Sequence, residues 1–279
     1  MQQAIAILDS GVGGLTVVKE VMRQLPNEKI IYFGDTARAP YGPRTSQEVI
    51  LFTEQIVNFL TRMNPKMIVI ACNTATAAAL DVIRSKAEIP VLGVVHPGAR
   101  AAIKKTSTGI VGVIGTEGTI RSGAYEKALS EIRPGIQVYS KACPQFVPLV
   151  EQGPYRSARA RTVVHASLAS FRQIAIDCLM LGCTHYPFLA QLITEALGED
   201  IALINSAEET VREIKAVLEQ MNQLFVDQRK EEHEFYCSGN QAIFSKIAGQ
   251  WLNCSLQAKQ AGLEASKQIG WLSEHRSVN

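Results

Sequence analysis

The sequence predicts an α/β protein of two pseudo-symmetric domains, each with a mostly parallel sheet flanked by helices. Three observations predict it. Short runs that are apolar throughout alternate with longer amphipathic stretches, as in parallel strands covered on both faces by helices. The same order begins again after Pro97-Gly98. Corresponding strands of the two halves also end alike. The third strand of one half runs into Cys72-Asn73-Thr74 and that of the other into Cys183-Thr184-His185.

Taken in order, Ala4 to Asp9 reads as a strand, and the small-residue turn after it leads into a helix over Gly13 to Leu25. Lys29 to Gly34 is the second strand. The stretch from Asp35 to Arg44 is too rich in Pro and Gly for helix or strand. Ser46 to Met63 is helical, Met67 to Cys72 a strand, Thr74 to Lys86 a helix and Val91 to Val94 a strand. Pro97-Gly98 then breaks the pattern as a crossover. In the second half, Gly109 to Gly115 is a strand, Glu117 to Glu131 a helix and Gly135 to Tyr139 a strand. Ser157 to Gln173 is a helix, Asp177 to Gly182 a strand, Tyr186 to Leu197 a helix and Ile201 to Ile204 a short strand. A periodic helix over Ala207 to Gln228 follows, then a strand at His233 to Cys237 and a helix at Gln241 to Leu252. The last twenty or so residues are polar and carry no clear punctuation.

Composition narrows the function. A length of 279 residues gives a prior of two domains. Lys+Arg number 28 against 26 Asp+Glu, a net charge of +2, which gives no electrostatic footprint for nucleic acid or a membrane surface. The longest apolar runs are far shorter than the ~20 residues of a membrane span. Without a basic n-region and apolar h-region no signal peptide is expected, and the six cysteines read as reduced cytoplasmic thiols. A secreted disulfide scaffold, a membrane protein and a bulk DNA binder are therefore not expected.

In open parallel sheets, ligands bind beyond the carboxyl ends of the strands, where helix N-termini also point. Asp9, Ser10, Cys72, Asn73, Thr74, Cys183, Thr184 and His185 fall at such ends, as does the Asp35 to Arg44 loop. Two facing halves place Cys72 and Cys183 across one cleft. Thiolates at helix N-termini are favoured by backbone N–H groups, and Asp9 and His185 are neighbours able to adjust their protonation. Two opposed thiols suit removal of a proton from one face of a carbon and its return to the other, which is racemisation or epimerisation. The carbanion needs donors at an adjacent carboxylate, and Asn73, Thr74 and Thr184 are candidates. Thr116 and Thr119, in the partner of the Asp9-Ser10 turn, are candidate substrate contacts. The glycines of that turn fail the dinucleotide pattern, since Thr16 stands where the third glycine belongs. Glu151 is left undecided between cleft and surface, and Arg38 and Arg44 read as loop anchors before carboxylate ligands. Cys143, Cys178, Cys237 and Cys254 read as structural, and His96, His165, His233 and His275 as structural or surface residues.

Leu8 to Leu15 (LDSGVGGL), Gly34 to Arg44 (GDTARAPYGPR), Ala71 to Ala77 (ACNTATA) and Leu181 to Leu189 (LGCTHYPFL) together resemble the bacterial glutamate racemases. Pro148 to Glu151 and Phe235 to Gly239 continue the resemblance in order along nearly the whole chain. It implies a cofactor-independent isomerase that interconverts L- and D-glutamate and supplies D-glutamate for peptidoglycan. It also implies an active site between two α/β domains, and a homodimer. Cys72 and Cys183 become the two acid/base residues, with Asp9 assisting Cys72 and His185 assisting Cys183. Ser10, Pro40, Tyr41, Gly42, Asn73, Thr74 and Thr184 become the substrate site. The resemblance further implies that the C-terminal segment returns to the first domain, so that residues 1–97 with 207–279 form one domain and 98–206 the other.

The chain departs from many members at Ala39, where they carry cysteine. Some members have an N-terminal extension tied to control by a cell-wall precursor, and that control is not expected here. Competing readings are an aspartate racemase or other two-thiol racemase of the superfamily, a non-enzymatic amino-acid binding protein, and a thiol redox protein. Some family members also act on DNA gyrase, and the sequence gives no support for that partner or for direct nucleic-acid binding.

Overall fold

Strands buried on both faces must be apolar at every position, whereas a helix needs only one apolar stripe. That rule accounts for the first sheet in the computed structural model, which describes residues 2–153, 155–228 and 231–263. Strand β1 (Ile5–Asp9) is followed by α1 (Leu15–Gln24), β2 (Ile30–Gly34), α2 (Ser46–Thr61), β3 (Met67–Ile70), α3 (Asn73–Lys86) and β4 (Val91–Gly93). Every residue of these four strands is buried. Alternate side chains feed two cores. Ile5 and Ile7 face one with α1, while Ala4, Ala6 and Leu8 face the other with α2 and α3.

Helix α4 (Val95–Lys105) leads to the second sheet through β5 (Ile110–Gly115), α5 (Glu117–Arg121), α6 (Ala124–Ile132), β6 (Gln137–Ala142), α7 (Phe146–Gln152), α8 (Ala158–Leu168), β7 (Cys178–Gly182), α9 (Ala190–Leu197) and β8 (Ala202–Ile204). The chain then adds α10 (Ser206–Gln220), β9 (Glu234–Cys237), α11 (Gln241–Leu252) and β10 (Lys259–Gln260). The sheet orders are β10-β9-β2-β1-β3-β4 and β6-β5-β7-β8. All pairings are parallel. The order β2-β1-β3-β4 repeats as β6-β5-β7-β8, so the ends of β3 and β7 are equivalent places in the two halves. No helix among the described residues is long and apolar enough to cross a membrane.

Three local expectations are corrected, and one helix is added. Pro97-Gly98 does not interrupt the chain. It lies in the first turns of α4, where proline removes an N–H that has no partner anyway. Gly98 lets α4 approach closely, since a Cβ there would stand 2.8 Å from Met180 and 3.1 Å from Ser206. The helix expected over Glu117 to Glu131 is split by Gly123, at φ +64°. The long helix from Ala207 stops at Gln220, and Asn222 turns the chain at φ +54°. Helix α7 was not expected at all. The polar tail holds β10 at its start, and residues 264–279, with His275, lie outside the described residues.

One buried ion pair pins the outer end of the first sheet. Lys66 Nζ lies 2.6 Å from Glu28 Oε2, with side chains 4% and 1% exposed. Lys66 also donates to the Gln223 carbonyl at 2.7 Å, and Glu28 accepts from the Phe225 N–H at 2.8 Å. Lys66→Ala strands a buried carboxylate, so thermal and urea unfolding should show a loss of about 3–5 kcal/mol. A loss below about 1 kcal/mol would show the pair to be dispensable.

Candidate active site

The carboxyl ends of β1, β3, β5 and β7 converge on one small cavity. Asp9 ends β1. Cys72 follows β3 and caps α3, its sulfur accepting from the Ala75 N–H at 3.4 Å. Thr116 follows β5 and caps α5. Cys183, Thr184 and His185 follow β7. Ser10, Pro40, Tyr41, Gly42, Thr74, Thr116, Cys183, Thr184 and His185 all line the cavity. Asp9, Cys72, Asn73 and Thr119 stand behind that lining. Three of these four are hydrogen-bonded to it: Cys72 to Ser10 at 3.5 Å, Asp9 to Thr184 at 3.5 Å, and Thr119 to Thr116 at 3.0 Å.

The two thiols differ in their surroundings. Burial, then the neighbouring Asp9 charge, pushes the Cys72 thiol up to about 12. The Ser10 and Ala75 hydrogen bonds pull the other way without prevailing. Cys72 is therefore held as a thiol. Cys183 instead has its sulfur 3.8 Å from His185 Nδ1, and His185 Nε2 lies 2.9 Å from Glu151 Oε1. Burial opposes charge on His185, but the Cys183 and Glu151 interactions outweigh it and raise its pKa to about 10. The imidazole is thus a cation near neutral pH, held between a sulfur and a carboxylate.

Asp9 is fully buried, and Oδ1 accepts the Gly11 N–H at 2.9 Å. Burial raises its pKa, against the His185 charge and the Gly14 and Gly11 N–H groups. Its tie to Cys72 is through charge, with Ser10 and the Ala75 N–H as the hydrogen-bonding partners of that sulfur.

The Asp35 to Arg44 loop is clamped from below. Asp35 is fully buried and accepts from Arg38 Nε at 2.6 Å, from Ser238 Oγ at 2.6 Å and from the Tyr41 hydroxyl. The Arg38 guanidinium lies 4.1 Å over the Phe52 ring. Arg44 pairs with Glu48 at 3.6 Å and donates to the Arg38 carbonyl at 3.3 Å. Neither arginine lines the cavity, so both anchor the loop. Its tip docks on the second half, where the Gly118 N–H donates to the Gly42 carbonyl at 2.9 Å. Thr74, Thr116 and Thr119 form a triangle of hydroxyls there, with edges of 2.8, 3.0 and 3.3 Å.

Glu151, Val147, Gly11 and Ala39 line the cavity beyond the expected set. Glu151 and Val147 are one turn apart on α7, so they share a face. The side chain of Glu151 is 41% exposed, at once in the cleft and at the surface. The signal for it was the PLVE stretch, which carries no orientation until α7 is placed. Cys143, Cys178 and Cys237 are buried away from the lining, and Cys254 is exposed.

A model of the Asp/Glu/Hydantoin racemase family matches residues 10–214. A glutamate racemase of Listeria monocytogenes serotype 4b is 52% identical over 253 residues, which covers 91% of this chain and 95% of that one. The crystal structure of a glutamate racemase isoform from Bacillus anthracis superposes with a TM-score of 0.92 at 45% identity, covering 95% of this chain and 99% of the other. That of Francisella tularensis glutamate racemase in complex with D-glutamate gives 0.89 at 34% identity, covering 95% and 99%.

Proposed function

From the premise that the chain belongs to the Asp/Glu/hydantoin racemase family and is an amino-acid racemase, we propose that it interconverts L- and D-glutamate by a two-thiol reaction. The observation that carries this reading is the equivalence of Cys72 and Cys183. They follow corresponding strands, Cys183 lining the cavity and Cys72 bonded to its lining residue Ser10, and have separate acid–base neighbours. One sulfur, as thiolate, takes the α-proton from one face of glutamate. The other, as thiol, gives a proton to the opposite face. Asp9 takes the Cys72 proton when that sulfur must act as base, and His185 shares the proton of Cys183. Asn73, Thr74 and Thr184 donate to the α-carboxylate, which carries the charge of the carbanion. Ser10 and the Pro40-Tyr41-Gly42 tip, with Thr116 and Thr119, hold the rest of the substrate. No cofactor is assigned a step.

Several further statements belong to the same proposal. The division into 1–97 with 207–279 and 98–206 draws support from the pairing of β9 with β2. A homodimer, a cytoplasmic location and a role in supplying D-glutamate for peptidoglycan are proposed with it, on the likeness to the glutamate racemases.

The test is incubation with L-glutamate, D-glutamate and each aspartate enantiomer, without pyridoxal phosphate, following optical activity. Glutamate should be racemised from both sides. Turnover of aspartate with none of glutamate would overturn the substrate assignment.

His185 gives a pH dependence whose sign is fixed. Its raised pKa keeps it charged at neutral pH, and the charge is lost as pH rises through about 10. Racemisation should therefore fall along that limb. Glu151→Gln removes one cause of the high value and should move the fall to lower pH by roughly a unit or more. An unchanged limb in the pH profile of kcat/KM would separate Glu151 from the reaction.

Gly13 is a steric check on the same centre. A Cβ there would stand 2.1 Å from Thr184 Oγ1 and 2.6 Å from His185 Nδ1. Gly13→Ala must displace one of them, and kcat/KM should drop about 100-fold. Activity within a few-fold would mean that neither group needs its place.

A further inference from the structure

Asn73 is 2% exposed, and its Nδ2 is buried with no hydrogen-bond partner. A buried donor without a protein partner is costly, and it marks a place for a ligand or an ordered water to satisfy. Its Oδ1 is already engaged, because the Tyr125 hydroxyl donates to it at 2.6 Å. Tyr125 comes from α6, in the opposite half of the molecule, and is 1% exposed.

The direction of that bond matters. An asparagine amide can turn over and exchange its donor for its acceptor. Here the Tyr125 hydroxyl is the donor and Oδ1 the acceptor. Burial, then the nearness of Cys183, raises the phenol pKa, so the hydroxyl keeps its proton. With the Tyr125 hydroxyl donating, Oδ1 is taken up and Nδ2 is left free.

The ring is placed as firmly as the hydroxyl. A Cβ on Gly182, the residue before Cys183, would stand 3.0 Å from Tyr125 Cε2, and one on Gly98 would stand 3.6 Å from Cε1. Tyr125 thus touches the strand end that carries one thiol while bonding the residue next to the other.

We propose that Tyr125 is a positioning residue that fixes the Asn73 amide with its donor toward the substrate carboxylate, and so registers the Cys72 side of the site against the Cys183 side. This rests on the glutamate racemase reading above. The role predicts that Tyr125 acts through Asn73 and on the charge that builds in the transition state, hence on kcat more than on KM.

The experiment is a double-mutant cycle on the full chain, with kcat and KM for both glutamate enantiomers and thermal unfolding of each variant. Tyr125→Phe should lower kcat/KM about 10- to 100-fold, mostly in kcat. In an Asn73→Ala background the same change should alter kcat/KM less than about twofold, because the amide it orients is gone. Effects that multiply in the Asn73→Ala background would overturn the proposal, as would a Tyr125→Phe variant as active as the parent. Should the parent chain itself leave glutamate unchanged, the glutamate reading and this role fall together. A parent that racemises with a multiplicative cycle overturns the Tyr125 role alone.

Discussion

Replacing either Cys72 or Cys183 by serine will abolish racemisation starting from both enantiomers. Each direction needs one sulfur as base and the other as acid, so losing either one breaks both directions. A serine hydroxyl is far less acidic than a thiol, and loss of one general acid/base partner costs on the order of 100- to 10,000-fold. The two enantiomers of glutamate have equal free energy, so kcat/KM must fall by the same factor in both directions. The asymmetry shows elsewhere. Each variant keeps one thiol, and should still exchange the α-proton of one enantiomer with solvent. The Cys72→Ser and Cys183→Ser variants should retain that exchange for opposite enantiomers. Chiral separation with mass detection of α-deuterium reads both quantities. Retention by both variants for the same enantiomer would contradict the assignment of one thiol to each face.

Asp9→Asn should cost nearly as much activity while leaving the fold intact. Burial and the Asp9 charge hold Cys72 as a thiol with its pKa pushed up to about 12, so the sulfur needs an acceptor before it can act as base. Asp9 is the nearest carboxylate by charge, and asparagine matches its shape but takes no proton. The expected loss in kcat/KM is on the order of 100- to 1,000-fold. Stability should move the other way. Burial raises the Asp9 pKa from 3.8, so the ionised form is disfavoured in the folded protein. A carboxyl whose folded pKa is raised destabilises progressively as pH rises above its unfolded value. Asn lacks that cost, so its Tm relative to the parent should improve from about pH 4 toward neutrality. A variant that loses activity through unfolding would instead lose Tm at neutral pH, and would contradict this account of Asp9.

Much of this was legible in the sequence for a simple physical reason. A strand buried on both faces must be apolar throughout, and a ligand site in an open parallel sheet must lie at the strand ends. Asp9, Cys72 and Cys183 stand out because they interrupt or close such runs. The small-residue turns beside them mark where backbone comes close to other groups, as the tight fit around Gly13 bears out. What stayed hidden depends on how the halves meet. The orientation of Glu151 needs α7, a short helix whose periodicity is too brief to read. The Tyr125 to Asn73 bond joins residues from opposite halves, and no local pattern announces it. Trp251 on α11 reaches His185, with ring centroids 6.0 Å apart, from a segment that gave no site signal. Pro97 misled because proline breaks helices in their interior yet is welcome in their first turn.

The central claim is that two separate thiols serve the two faces of the α-carbon. Its most direct test is racemisation in D2O, starting from protiated L-glutamate and, separately, D-glutamate, sampled over the first few per cent of conversion. With two thiols, the proton leaves to one sulfur and a solvent-derived deuteron arrives from the other. The product enantiomer should therefore carry α-deuterium from the first turnover, while the remaining substrate pool stays protiated. Deuterium appearing equally in substrate and product at early times, or product formed with its original α-proton retained, would contradict the account.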